Sequence, residues 1–341
     1  MFRPRLNLQT GVAAAAALVA LYSVLWLLLA HQVRREVDAF IARERADGVE
    51  LAAGTEMTQG FPFRLEVRLT DVAADGLPHG AKGRVTVPVL LAWAQPWKLG
   101  AWHFAMPNGA SLAALQGTVA VDRLAGRLSA VVGPGGVPGG KRAEVNADNI
   151  SIVAGDRTTK VGDAALVLLL PPASPHSHEE PLFSINLLAH QATLPNSVAP
   201  LGQMIDHVKL DATWRGPVPA GKLADALATW RDDGGTIELQ GVDLGWGPLG
   251  LSADGTLALD KALQPLGAFS ARIVGYEAIV DALVDGGVIR QNDASLVRMG
   301  LSMMTQRGVD GSPQLKTPVT IQDGALFLGP ARLMKLARID W

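Results

Sequence analysis

The feature that most constrains this chain is an uninterrupted apolar run, GVAAAAALVALYSVLWLLLA, at residues 11–30. It holds no Asp, Glu, Lys or Arg, and at ~1.5 Å of helical rise per residue, about 20 residues reach across the ~30 Å hydrocarbon layer of a membrane. A helix on the surface of a soluble domain carries a polar face, which this run lacks. Its exit, Leu28-Leu29-Ala30-His31, differs from the A-x-A-like site of a cleaved signal peptide. We therefore predict a retained, single transmembrane helix over 11–30.

The flanks of this run predict where the rest of the chain lies. Arginines precede the run and also follow it, interleaved with acidic residues, so the positive-inside rule leaves the orientation open. A short tail before the first apolar segment is typical of an uncleaved export signal. We therefore predict a cytoplasmic tail at 1–10 and the bulk of the chain outside the cytoplasm. Residues 31–48 are charged, with Val33, Val37 and Phe40 at helical spacing, which predicts an amphipathic juxtamembrane helix that ends at Gly48.

Composition narrows the classes of protein. Hydrophobic residues make up 48% of the chain and charged residues 18%, which is the balance of a folded protein rather than a disordered one. A net charge of -2 argues against a nucleic-acid partner, which requires a surplus of basic residues. The absence of cysteine excludes disulfides, thiolate metal sites and a cysteine nucleophile. No sequence motif indicates a cofactor.

Residues 49–341 are predicted to form one strand-rich domain. After Gly60-Phe61-Pro62, the apolar residues Phe63, Leu65, Val67 and Leu69 alternate with polar ones, as in a half-buried strand. Similar runs occur at 84–91, 117–122, 126–132, 149–154, 164–170, 182–188, 209–214, 236–244, 249–259, 268–273 and 319–328. Because most of these runs are joined by turns rather than helices, the pattern favours an antiparallel sheet.

Two segments interrupt the strands with helical periodicity, near 220–232 and 276–306, and Gly286-Gly287 is expected to divide the second. Two Gly- or Pro-rich stretches, 133–140 and 171–181, are expected to be loops. The predicted fold is α+β and mainly β: a curved antiparallel sheet with a few packed helices, preceded by one transmembrane helix. The last run, 319–328, is expected to close the domain.

A cluster of aromatic residues is the main candidate for a binding surface. Trp93, Trp97 and Trp102 fall within ten positions, and Phe104 follows them. Indole rings suit a surface that is apolar on one side and wet on the other. The cluster either lines a lipid-binding groove, contacts a bilayer or partner, or caps the core of the sheet itself.

Ligand chemistry elsewhere is sparse. His176, His178 and Glu179 carry imidazole and carboxylate groups that zinc accepts, although consecutive residues in a Pro-rich loop seldom converge on one ion without a rigid frame. Gly135 to Arg142 has the Gly and Lys spacing of a phosphate-binding loop, but Arg142 stands where a Ser or Thr is required and a strand is expected next. We predict no metal site and no catalytic residues.

Several short motifs together resemble a known family. They are Gly60-Phe61-Pro62-Phe63-Arg64-Leu65, Ala94-Gln95-Pro96-Trp97, Trp246-Gly247-Pro248-Leu249, Gly255-Thr256-Leu257, Asp323-Gly324-Ala325 and Leu328-Gly329-Pro330. In their order and spacing the chain resembles domain-of-unknown-function family 2125, over nearly its whole length after the anchor. The resemblance implies a membrane-anchored protein of a Gram-negative bacterium, held in the inner membrane with its C-terminal domain in the periplasm. It implies no reaction and no catalytic residues.

Three functions follow as hypotheses. The first is a non-enzymatic binder of lipid or another amphiphile, tethered to the membrane by its N-terminal helix. The second is a scaffold or assembly partner of another envelope protein, and the third is a hydrolase with a dispersed site. Abundant apolar residues, few charged clusters and the tether favour the first.

Overall fold

The alternating segments of the sequence pair into one antiparallel sheet, which confirms the predicted fold class. The computed structural model describes residues 8–46, 49–54, 56–76, 83–114, 117–132, 138–287, 289–303, 305–307, 313–329, 331–339 and 341. Within these residues the chain forms four helices and eighteen strands. Every strand belongs to the same sheet.

The helices are α1 (Leu8–Ala46), α2 (Leu223–Asp232), α3 (Tyr276–Asp285) and α4 (Ala294–Met303). The strands of the first half are β1 (Glu50–Ala52), β2 (Glu56–Gln59), β3 (Leu65–Asp75), β4 (Gly83–Gln95), β5 (Lys98–Met106), β6 (Ala110–Ala114), β7 (Gly117–Val132), β8 (Pro138–Ala154) and β9 (Arg157–Leu170). Those of the second half are β10 (Pro181–Val198), β11 (Gly202–Arg215), β12 (Thr236–Trp246), β13 (Leu249–Leu259), β14 (Pro265–Val274), β15 (Thr305–Arg307), β16 (Pro313–Gln322), β17 (Ala325–Leu328) and β18 (Ala331–Lys335).

Strand order in the sheet follows chain order closely. From β7 to β14 each strand pairs with the next one along the chain. At one end, β1 and β2 both pair with β3, and β5 and β6 share a single position between β4 and β7. At the other end, β16 lies beside β14 and is followed by β17 and β18. The sheet is therefore a long meander, since hairpin connections join nearly all neighbours.

The register gives the sheet one apolar face. Directly paired residues of antiparallel strands lie on the same face, so a row of partners can be followed from β3 to β16. That row is Val67, Ala92, Phe104, Gly126, Val145, Leu166, Leu187, Leu210, Val242, Ala253, Ala271 and Thr317. Eleven strand spacings of ~4.8 Å make it roughly 50 Å long. We call this side of the sheet the apolar face.

The neighbouring row lies on the opposite side, which we call the polar face. Its members are Arg68, Leu91, Ala105, Ala125, Asn146, Ala165, Leu188, Lys209, Asp243, Ser252, Arg272 and Lys316. Charged groups are concentrated there, as the alternation of side chains along each strand requires.

All four described helices lie on the apolar face. Trp26 of α1 packs against Leu65, which has no exposed surface. On α2, the ring of Trp230 lies 4.7 Å from that of Trp214, and Trp214 is paired with Phe183. The main core forms where α3 and α4 cover β13, β14 and β16, around the fully buried Leu315. Over β7–β9 the same face is only half-buried.

The structure differs from the sequence prediction in several places. The predicted strand 319–328 is wrong as a single element, because a turn at Asp323-Gly324, with φ of 52° and 64°, separates β16 from β17. It does not close the sheet either, since β18 follows. The expected loop at 133–140 is shorter, because β8 already begins at Pro138 and residues 133–137 lie outside the described part.

The helical segments are placed as follows. Helix α1 continues without a break through the predicted span and the juxtamembrane segment as far as Ala46, and its predicted end at Gly48 lies outside the described residues. The segment near 220–232 contains α2. In the 276–306 segment, α3 ends just before Gly286-Gly287, and α4 ends at Met303 before the short strand β15.

Candidate functional site: an apolar cavity beside the first helix

A cavity of about 660 Å³ lies between α1 and the first strands of the apolar face. Its walls are Gln32, Val33, Glu36, Val37 and Phe40 of α1 with Val67, Leu69, Leu90, Ala92, Trp102 and Leu128 of the sheet. The polar side chains of this lining are Gln32 and Glu36, both on the helix. The volume lies within the ~300–1,000 Å³ typical of small-molecule sites.

Local periodicity explains how the walls form. Val33, Val37 and Phe40 recur at i, i+4 and i+7, which places them on one face of α1. On β3, Val67 and Leu69 are two residues apart and therefore share a face, and register pairs them with Ala92 and Leu90. Apolar side chains on one face of α1 and on one face of the sheet therefore lie on opposite sides of the cavity.

Packing between α1 and the start of β3 lies beside the cavity, because Val33 belongs to both. Trp26, Ala30 and Leu65 form a buried cluster, and Leu29 and Val33 pack against it. The indole Nε1 of Trp26 donates a hydrogen bond to the carbonyl oxygen of Arg64 over 3.2 Å. This contact fixes α1 against the sheet.

The aromatic cluster of the sequence divides among three environments. Trp102 lines the cavity, and Phe104 lies on the same face, where a Cβ built on Gly126 would come within 2.4 Å of its Cζ. Trp93 lies on the polar face and stacks on His103 at 5.5 Å. Trp97 lies in the turn between β4 and β5 with 62% of its surface exposed. The residues therefore do not form one surface.

Two histidine rings on the polar face lie within hydrogen-bond distance of aspartates. His190 Nδ1 lies 2.8 Å from Asp163 Oδ2, and His207 Nε2 lies 2.6 Å from Asp243 Oδ1. Ser252 pairs with Asp243 across β12 and β13, but among the described side chains it makes no hydrogen bond with the ring of His207. An activated serine requires that bond, so these residues are not arranged as a triad.

The two carboxyl groups with shifted pKa values, those of Asp211 and Asp75, also lie away from the cavity. Burial raises the pKa of Asp211, but hydrogen bonds outweigh that effect and hold the pKa below its usual range. Asn186 Nδ2 donates to Asp211 Oδ1 over 2.7 Å, and Lys209 Nζ lies 3.0 Å from Oδ2. At the sheet end, a hydrogen bond with Arg84 lowers the pKa of Asp75. Both are surface interactions that stabilise the charged carboxylate.

A smaller cavity of about 230 Å³ lies beneath α3 and α4. Its lining is apolar except for Tyr276 and Arg332, and includes Ile273, Val280 and Leu315. It belongs to the main core of the sheet and does not adjoin α1.

Comparison with protein families decides what the chain is related to. A family model described as "Uncharacterized protein conserved in bacteria (DUF2125)" matches residues 26–337. The chain belongs to the DUF2125 family. Searches with this chain found no match among the curated proteins or the solved structures.

Most of the family motifs lie at or beside turns of the DUF2125 sheet, whereas Gly255-Thr256-Leu257 lies within β13. Gly60 to Leu65 leads into β3 and contains Phe61, Pro62 and Arg64, which contact α1. Ala94 to Trp97 forms the turn between β4 and β5, and Trp246 to Leu249 joins β12 to β13. Asp323 to Ala325 forms the turn before β17. The resemblance inferred from these motifs is confirmed by the family match.

The weak metal candidates of the DUF2125 protein lie in the loop between β9 and β10. His176, His178 and Glu179 are exposed there. The backbone N–H of His176 donates to Glu180 Oε2 over 2.8 Å, and Arg215 donates to the carbonyl oxygen of Glu179. In the described residues no group of three or more His, Asp or Glu side chains is placed to hold a metal ion.

Sequence reasoning missed the helical wall of the cavity. Val33, Val37 and Phe40 were a recognisable apolar stripe, but the sequence does not state what the stripe contacts. Leu90 and Leu128 were also not singled out, because their membership of the site depends on pairing between β4, β5 and β7. The register in which the strands pair identifies these two residues, and that register is known only from the fold.

Proposed function

We propose that this DUF2125 protein is a non-enzymatic lipid-binding protein, anchored by α1 in the bacterial inner membrane with its sheet in the periplasm. The single observation that supports the proposal most is the 660 Å³ apolar cavity between α1 and the apolar face. In the part of the chain that the structure describes, one helix is long and apolar enough to cross a membrane. Along this helix, Leu18, Leu21 and Leu25 are at least half exposed, as lipid contact requires.

The chemistry of the cavity suits an acyl chain. Apart from Gln32 and Glu36, its walls are aliphatic and aromatic, and no described histidine, serine or threonine lines it. A long alkyl chain gains about 0.8 kcal/mol for each CH₂ removed from water, so such a site binds without directed polar contacts. Gln32 and Glu36, which are hydrogen-bonded to each other over 2.9 Å, offer the polar contacts for a headgroup.

The location of the cavity relative to the predicted span supports a lipid rather than a soluble ligand. The α1 residues that line it run from Gln32 to Phe40, beginning two positions after the apolar run ends at Ala30. At ~1.5 Å per residue, the cavity extends over about 12 Å of helix directly outside the hydrocarbon layer. An acyl chain leaving the outer leaflet thus reaches the cavity without crossing a long aqueous path.

The apolar face continues the cavity away from α1. Leu128 on the cavity wall pairs with Ala143, and that residue pairs with Leu168 on β9. These positions are half-buried or exposed. A second acyl chain therefore has apolar surface to follow beside the first.

Photo-crosslinking tests the proposal with the full-length protein reconstituted in vesicles. The probe is phosphatidylcholine with a diazirine on one acyl chain, and crosslinked peptides are identified by mass spectrometry. We expect crosslinks in β4, β5 and β7 as well as in residues 11–30. Crosslinks confined to residues 11–30 would show a membrane anchor without a lipid site, and would favour the scaffold hypothesis.

Two matched substitutions locate the site. Leu128 lines the cavity and is 43% exposed, while Val131 on the same strand points to the polar face and is 37% exposed. Leu128→Asp puts a carboxylate, which is costly to desolvate, against the acyl chain. We expect it to reduce crosslinking in β4, β5 and β7 at least tenfold, whereas Val131→Asp leaves it within twofold. Equal effects of the two substitutions would contradict a site on the apolar face.

A further inference from the structure

One end of the sheet exposes a group of large aromatic side chains. Phe61 and Phe63 precede β3, and Trp97 lies in the adjacent turn between β4 and β5. Their exposed fractions are 51%, 72% and 62%. We call these three residues the aromatic tip. Within the two turns, 60–63 and 95–99, Lys98 is the sole ionisable side chain.

Register brings the two turns together. Leu65 at the start of β3 pairs with Ala94 at the end of β4, so the segments that flank this pair emerge from the same end of the sheet. Phe63 and Lys98 also line one shared depression with Trp93 on the polar face. The three residues of the aromatic tip therefore lie at the same end of the sheet.

The aromatic tip is fixed to α1 within its apolar run. The hydroxyl of Tyr22 donates to the carbonyl oxygen of Pro62. The ring of Trp26 meets that of Phe61 edge-on, with centroids 5.5 Å apart. Both helix residues lie inside the 11–30 run, so the tip lies beside a part of α1 that the proposed span buries in lipid.

The position along the helix gives the depth. Trp26 and Tyr22 are four and eight residues before Ala30, which places them about 6 and 12 Å inside the end of the run at ~1.5 Å per residue. Interfacial apolar side chains settle ~5–10 Å into the boundary between headgroups and acyl chains. Phe61, whose ring contacts that of Trp26, therefore lies near this depth without any movement of the sheet against α1.

We propose that the aromatic tip inserts into the bilayer interface and seats the first strands of the sheet on the membrane. The inference rests on the membrane span of the proposed function and adds a second, independent contact with lipid. Tryptophan and phenylalanine suit the interfacial region, and Lys98 is placed to contact lipid phosphate. This insertion holds the cavity beside α1 at the membrane surface, which is the source of the proposed lipid ligand.

Site-directed spin labelling tests the inference, because the chain has no native cysteine. Single labels are introduced by Phe63→Cys and Trp97→Cys in the full-length protein, reconstituted in vesicles of phosphatidylcholine and phosphatidylglycerol. Val19→Cys reports on the span, and Asp156→Cys reports on the exposed turn between β8 and β9 at the opposite end of the strands. All four sites are exposed in the protein, so folding should persist, and circular dichroism checks it.

Collision with oxygen and with a water-soluble nickel chelate gives the depth of each label. We expect the ratio of oxygen to nickel collision rates to be at least threefold higher for the labels at 63 and 97 than for the label at 156. The labels at 63 and 97 should lie shallower than the label at 19. If the labels at 63 and 97 behave like the label at 156 while the label at 19 is in lipid, the insertion of the aromatic tip is wrong and the membrane span is unaffected. If the label at 19 is itself accessible to nickel, both the membrane span and the insertion of the aromatic tip are wrong.

Discussion

Trp230 gives the sharpest test of how a helix is held on the apolar face. It is 1% exposed, and its Nε1 donates to the carbonyl oxygen of Arg215 over 2.7 Å. A buried Trp→Ala substitution removes the ring contact with Trp214 and leaves a cavity, at a cost of about 3–5 kcal/mol. Because total stability is only ~5–15 kcal/mol, this is a large fraction of it.

The expected change in melting temperature follows from that free energy. Taking ~2 °C per kcal/mol for a chain of this size, Trp230→Ala should lower the midpoint by roughly 6–10 °C. The measurement is thermal unfolding of the full-length protein followed by circular dichroism. Trp97→Ala is the matched control, since it is the same substitution at an exposed turn and should shift the midpoint by under about 1 °C.

The comparison can refute the packing argument directly. If Trp230→Ala and Trp97→Ala lower the midpoint equally, α2 does not stabilise the sheet through the buried indole. Trp230→Phe separates the two parts of the interaction, because it keeps most of the apolar contact and loses the hydrogen bond, which is worth about 1 kcal/mol.

Two further predictions concern a glycine and a carboxylate. Gly126→Ala places a Cβ 2.2 Å from the carbonyl oxygen of Glu144 and 2.4 Å from Phe104 Cζ, so it should cost about 1–3 kcal/mol by overpacking. Gly100→Ala, whose Cβ meets nothing closer than 3.9 Å, should cost little. Urea unfolding compares the two substitutions, and equal costs would contradict the close packing around Gly126. The lowered pKa of Asp211 stabilises the fold above its unfolded pKa of about 3.9, and this contribution is lost as pH falls through the lower folded pKa. Asp211→Asn should therefore reduce the thermal midpoint at pH 6, with a difference from wild type that shrinks below pH ~4; a difference independent of pH would contradict the interaction with Lys209.

Much of the fold could be predicted because its signals are local. The alternation from Phe63 to Leu69 predicted β3, and the spacing of Leu223, Leu227 and Trp230 predicted α2. Strand β5 was missed because Ala101 and Ala105 on its polar face blur the contrast with Trp102 and Phe104. Small apolar residues on both faces make the strand period hard to see.

The candidate site was harder to predict because it depends on which residues meet. Trp93 and Trp102 look alike in the sequence, yet Trp93 pairs with His103, so Trp102, one residue before His103, lies on the opposite face. The role of α1 as a cavity wall likewise depends on contacts with residues far along the chain. Propensity and periodicity carry no information on such contacts, whereas the apolar run at 11–30 can be recognised from the sequence alone.

The agreement between strand order and chain order has a consequence for how the protein is made. Contacts between strands that follow one another need only short loops to close, which favours rapid folding. Each new strand can add to the edge left by the previous one, as the chain emerges from its N-terminus. Helix α2 directly follows β11 and covers it, and α3 and α4 follow β14 in the same way. The growing sheet therefore covers parts of its apolar face during synthesis, before the last strands exist.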